Sequence, residues 1–182
     1  WSRNDDKRVY RLICYVNSSI HYRLSAHIGD EASALSLRLY VDADFAGDSG
    51  SARSTSGGYL VLVAPNSFFP LAWLSKRQTS TSRSTTESEV VALAAGLFGE
   101  AIPAIIMWEK ILGRAVTLEI FEDNQATIRV VKKGYSSKLR HISRTHKIDI
   151  SSVNEVLDSD SIVFSYIETD KQAARSEEHT SE

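Results

Sequence analysis

The chain has 182 residues, 42% of them apolar, a formal net charge of −2 and a single cysteine, Cys14. That is one domain's worth of chain with enough apolar material for a core. It excludes a uniformly basic nucleic-acid binder, an intramolecular disulfide and a cysteine-cluster zinc site, while local basic patches stay open. No apolar stretch reaches the ~18 residues read as a membrane span, so no membrane partner is expected. The opening WSRNDDKRVYRL has no signal-peptide pattern, and without an initiator Met the chain reads as a fragment of something longer.

In chain order, NDDKRVYRLICYVNSS is predicted helical, with Val9, Leu12, Ile13 and Val16 at helical spacing and acids at its start. HIGDEASALS reads as a linker. Leu35, Leu37, Leu39 and Val41 then alternate with polar residues, the period of a strand. GGYLVLVA (57–64) and FPLAWLSK (69–76) are two more strands behind short turns, an antiparallel meander. Residues 86–113 form a long helix that Pro103 should kink or split and Gly113 should stop. A strand (114–123), a helix (124–134), a basic loop, a helix (144–158) and a strand (161–167) complete the order β-β-β-α-β-α-α-β.

Two of these strands end in acid, at Asp42 in LRLYVDADF and Asp123 in LEIFEDN. Glu89 follows near the start of the long helix. Parallel neighbours ending at one sheet edge would bring such carboxylates together, and sites form beyond strand C-termini in open α/β sheets. Clustered carboxylates repel unless a cation sits among them, and hard dications take oxygen ligands. Two metals about 3.5–4 Å apart suit phosphodiester hydrolysis. The alternative is that each acid is a solvated cap, and spacing alone leaves both open.

YVDADFAGD, RSTSGG, WLSKRQTSTSRSTTESEVVAL, FEDNQATI, RTHKIDI and YIETDKQAA follow one another over about residues 35–174. As a set they resemble the ribonuclease H domain of copia-type retrotransposon Pol polyproteins. The resemblance implies an α/β ribonuclease H-like fold. Its mixed five-stranded sheet has three antiparallel strands, then parallel ones, flanked by helices, here without the last helix. It implies hydrolysis of the RNA strand of an RNA–DNA hybrid with two Mg²⁺ ions, Mn²⁺ being an alternative. The first three of the family's four carboxylates match Asp42, Glu89 and Asp123, the implied catalytic and metal-binding residues. Asp44 and Asp48 are expected to shape the loop, Glu87 to favour the helix start, and Glu122 to point to the other side of its strand. Residues 1–34 resemble the end of a preceding reverse-transcriptase region, so that domain is an implied partner, and a cytoplasmic virus-like particle the implied location.

Lys132 to Lys147 holds six Lys or Arg, two His and no acid. With Lys76, Arg77 and Arg83, the residues Lys138, Arg140, Arg144 and Lys147 are candidate phosphate contacts, which position a duplex without reading it. A solvated basic face is the other reading. STSRST (80–85) is a polar loop whose hydroxyls could also meet a substrate backbone. Relatives often read R-T-K-H-I where this chain has RTHKI, so His141 and His146 are left without an assigned role.

The family's last motif, T-x-x-Q-x-A-D, places its fourth carboxylate at the Asp. Here the match runs from Thr169 to Ala174, and Arg175 stands in the acid's place. RSEEHTSE (175–182) coincides with the translation of a common sequencing-library adapter, so the tail is expected to be non-native. The domain organisation expected is thus 1–34, 35–174 and 175–182. The fragment is expected to be weakly active or inactive; the alternative is a non-catalytic domain that binds nucleic acid or packs on the reverse transcriptase.

Overall fold

The structure, a computed structural model, describes residues 1–23, 25–47 and 50–175. Asp48 and the tail beyond Arg175 lie outside them. Helix α1 spans Arg3–Ser19 and opens on a capping box between Ser2 and Asp5. Its periodicity made a helix, but no residue of it is buried: Leu12, Ile13 and Val16 are exposed.

Strand β1 (His27–Ile28) sits inside the expected linker. Strands β2 (Ser36–Asp44), β3 (Thr55–Ala64) and β4 (Ser67–Arg77) form the predicted antiparallel meander. Helix α2 (Thr85–Gly96) passes through a π-turn at Leu97–Ala101 into α3 (Ile102–Leu112). Strand β5 (Leu118–Glu122), helices α4 (Gln125–Lys133), α5 (Ile142–Thr145) and α6 (Ile150–Leu157), and strand β6 (Ile162–Tyr166) follow. The sheet order is β1-β4-β3-β2-β5-β6, with β2, β5 and β6 mutually parallel. The sheet therefore has six strands rather than five. The addition is a two-residue edge pairing with β4, too short to leave a periodic signal.

Pro103 does not split the long helix. The π-turn precedes it, with Ile102 N–H reaching back to Leu97 O, and Pro103 falls in the first turn of α3, where its missing N–H costs nothing. Gly113 ends α3 at φ 66°. Residues 85–112 thus make one helix of 28 residues, long and apolar enough by length and composition to cross a membrane, which corrects the sequence reading. In this fold it is the core helix. Val90, Leu93, Leu97 and Trp108 bury against Leu37, Leu39, Leu60 and Ile120. Truncating one of these leucines to Ala costs about 2–5 kcal/mol.

The helix expected over 144–158 is two helices. Lys147 takes φ 60° and Asp149 caps a new start by accepting from Ser151 N, so α6 begins at Ile150.

Candidate active site

The site is built by strand register. β2 alternates buried leucines and Val41 with outward polar residues. β2 and β5 run parallel, and their pairing ends at Tyr40 with Phe121. Two residues on, Asp42 and Asp123 leave the same sheet edge side by side. α2 crosses this edge and adds Glu89, which is 6% exposed. One oxygen from each of the three carboxylates lies within 4.8 Å of the others.

The electrostatics are those of crowded acids. Burial, reinforced by Glu122, Asp42 and Asp123, pushes the Glu89 carboxyl up to about 10. Burial and then Asp123 raise Asp42, with Arg175 opposing. Glu89 Oε2 is buried with no hydrogen-bond partner among the described residues. An orphaned buried carboxylate oxygen within reach of two further carboxylates is the donor set a hard divalent cation takes, so Asp42, Glu89 and Asp123 fit one.

Glu122 is the acid whose position the sequence reading undervalued. It does face away from Asp123, as alternation requires, but that face is the core: Leu118, Ile120 and Glu122 are all buried. Burial pushes its carboxyl up to about 8, against a hydrogen bond from Asn124 N. It sits behind Glu89 rather than among the three clustered oxygens.

Glu87 does more than favour a helix start. It is 1% exposed, accepts from Arg83 N at 2.9 Å and stands 3.1 Å from His141 Nε2. Its other oxygen is 3.3 Å from the buried His146 Nε2, without hydrogen-bond alignment. Burial, more than the opposing charge of Glu87, holds His146 below the usual imidazole range. Both histidines thus meet a carboxylate of α2, a long-range pairing that no local motif signals.

The hydroxyls of the 80–85 loop are used internally. Ser80 donates to Thr145 O, the buried Ser82 donates to Gln78, and Ser84 caps α2. Asp44 closes over Gly47, where a side chain would overlap its carboxylate.

Lys76, Arg77, Arg83, Lys138, Arg140, Arg144 and Lys147 are all exposed. Register places Lys76 and Arg77 at the acidic end of the sheet, across β3 from Ala43 and Asp44. Arg83 and the 138–147 stretch lie on loops joined through Glu87 and Ser80. Arg140 is held over the Tyr135 ring and bonds its hydroxyl.

Arg175 lines the acidic pocket, of about 290 Å³, with Asp42, Glu89 and Asp123. A positive charge therefore does stand at the acid site.

A mixed sheet ordered β4-β3-β2-β5-β6, with acids at the ends of β2 and β5 and on the helix crossing them, is a ribonuclease H-like α/β fold. Part of the chain is similar to retrovirus-related Pol polyproteins of plant transposons. It is 41% identical over 64 residues to the Pol polyprotein from transposon RE2 of Arabidopsis thaliana, which covers 35% of this chain and 4% of that protein. It is 36% identical over 84 residues to an uncharacterized mitochondrial protein of the same plant, AtMg00810, covering 46% of this chain and 32% of that protein. The chain thus spans a third or less of these relatives. No family model matches it. Among solved structures, a foamy viral protease-reverse transcriptase in complex with RNA/DNA hybrid aligns over 100% of this chain and 21% of its own, at 12% identity and TM-score 0.53. A ribonuclease H1 isolated from compost aligns over 76% and 88%, at 15% identity and TM-score 0.47. The foamy-virus likeness is one of fold.

Proposed function

We propose that this chain is the ribonuclease H domain of a copia-type retrotransposon Pol polyprotein, a domain that hydrolyses the RNA strand of RNA–DNA hybrids during reverse transcription, and that this fragment is impaired by the loss of the fourth carboxylate. Residues 35–174 are the domain, and 1–34 the end of the adjoining reverse-transcriptase region. By its resemblance to the family it would work in a cytoplasmic virus-like particle. The observation that carries the reading is the convergence of Asp42, Glu89 and Asp123 to within 4.8 Å, with a buried oxygen of Glu89 unpartnered.

Asp42, Glu89 and Asp123 would hold the divalent ions, two Mg²⁺ or Mn²⁺. Such ions, when bound, supply a nucleophilic water at neutral pH and stabilise the leaving oxygen. The chain's own contribution is placement. The sheet edge and α2 fix three oxygens before substrate arrives, so the site needs no reorganisation. Lys76 and Arg77 at the sheet end, and Arg83 with Lys138, Arg140, Arg144 and Lys147 on the two joined loops, are placed to contact phosphates and orient the duplex. Hybrid would be told from DNA by its 2′-hydroxyls and groove shape.

A second reading, a domain that binds hybrid without cutting it, is favoured by Arg175, whose charge lies beside Asp42. A cleavage assay on an RNA–DNA hybrid with Mg²⁺ separates the two. The nuclease reading expects R175D to cleave and R175D/D42N not to. Tight hybrid binding by R175D with no cleavage in Mg²⁺ or Mn²⁺ selects the second reading.

A further inference from the structure

Gln172 is 6% exposed, although it belongs to the irregular segment after β6. Its Nε2 donates to Val41 O at 2.8 Å and to Phe121 O at 3.4 Å, and Ala174 N approaches its Oε1 at 3.4 Å. The two carbonyls belong to different strands. The β2–β5 ladder ends at Tyr40 and Phe121, so both lie at the point where the strands part. Val41 O lies past the last rung and needs a donor, and a primary amide, with two N–H groups on one atom, can serve it and still reach Phe121 O. Gln172 therefore acts as a last rung. Asp42 follows Val41 directly, and Asp123 follows Phe121 by two.

The same residue fixes the chain that follows it. Ala174 passes so close over β3 that a Cβ at Gly57 would lie 2.5 Å from Ala174 O. The next side chain, at 175, enters the pocket lined by Asp42, Glu89 and Asp123. One amide thus ties together both acid-bearing strand ends and the segment that delivers residue 175.

We propose that Gln172 is a positioning residue of the acidic site: its amide sets the spacing of the Asp42 and Asp123 strand ends and carries side chain 175 into the site. The inference rests on reading the three acids as a divalent-cation site. An apolar residue of similar size, Leu, would fill the space but take from Val41 O the side-chain donor it has beyond the ladder, and from Phe121 O its second, longer contact.

The test is Mn²⁺ titration by electron paramagnetic resonance on the whole chain, with thermal melts run beside it. Q172L is expected to weaken Mn²⁺ binding about tenfold or more, the scale of a lost partner behind a metal ligand. R175D is expected to strengthen binding about tenfold in the Gln172 chain and to give no gain in Q172L. Loss of stability alone does not produce that dependence. If Q172L does not fold, G57A replaces it, since it displaces Ala174 without touching the amide and should also erase the R175D gain. Affinity within twofold of the parent in Q172L, or in G57A where that replaces it, with the R175D gain intact, overturns the proposal. If no variant binds Mn²⁺, the cation reading fails, and the Gln172 side-chain amide decides the rung by NMR. Amide protons protected from solvent exchange uphold it, and freely exchanging ones overturn it.

Discussion

Glu87 and Glu89 stand two residues apart at the start of α2, 1% and 6% exposed, in opposite surroundings. Glu87 is met by donors, the backbone N–H of Arg83 and the ring of His141, with His146 beside it. Glu89 takes one backbone hydrogen bond, from Ala43, and is otherwise met by Glu122, Asp42 and Asp123; each glutamate has one buried oxygen without a hydrogen bond, but that of Glu87 lies 3.3 Å from His146 Nε2. Burial is common to both and so identifies neither. What separates a structural carboxylate from a ligand is whether the fold itself supplies the positive or donating partner.

The largest effect expected from this contrast is on chemistry. In the R175D chain, E89Q should lower hybrid cleavage by at least about 100-fold, the scale of a lost preorganised electrostatic contact. In metal-free buffer at pH 8 the same change should raise the melting temperature, because it removes a crowded acid. Cleavage that survives E89Q, or a lower metal-free melting temperature, breaks the comparison.

Glu87 should behave the other way. E87A strips Arg83 N–H and His141 of an acceptor inside the fold, and a cost of about 1–3 kcal/mol is expected in urea unfolding. Mn²⁺ affinity should stay near the parent value. A stability unchanged by E87A would mean that water replaces the carboxylate at no cost.

The pH dependence sharpens the contrast further. The Glu89 carboxyl lies at about 10 in the fold against an ordinary 4.5, so between those values the folded chain holds a proton that the unfolded chain has lost. Its contribution to stability is complete below pH 4.5 and is lost as pH rises toward 10. Urea midpoints in EDTA should therefore fall from pH 6 to pH 9, and E89Q or saturating Mg²⁺ should flatten the slope. An unchanged slope in E89Q would assign it to another group, Glu122 being the nearest candidate.

The smallest effect concerns the basic loop. K138A should reduce the slope of log binding constant against log salt for hybrid by about 1, the signature of one lost phosphate contact. R140A should do the same only if the guanidinium leaves Tyr135 to reach the duplex. Equal slopes for parent and K138A would make that lysine part of a solvated face.

Much of this was legible in the chain. The alternation of Leu35 to Val41 and its end at Asp42 located both the strand and its acid, since a period of two is a local property. The FEDN stretch did the same for Asp123. Alternation also put Glu122 on the face opposite Asp123, but which neighbour waits on that face depends on where α2 crosses, which local periodicity does not encode. The 144–158 segment read as one helix because its apolar spacing survives the break at Lys147 and Asp149. Strand β1 was invisible because two residues carry no period.

The identities of β2 to β6 and of α1, α2 and α4, the acids at two strand ends and the departure at Arg175 were therefore settled by residue order, because patterning and capping act over a few residues. Their meeting was not. That Glu89 joins Asp42 and Asp123, that Glu87 instead finds His141 and His146, and that Gln172 spans Val41 and Phe121 across 131 and 51 residues of chain were decided by sheet register and helix crossing. Those contacts form only when the core of α2, α3, β2, β3 and β5 packs, because the hydrophobic burial that brings them together is not directional and becomes specific only through the whole fold.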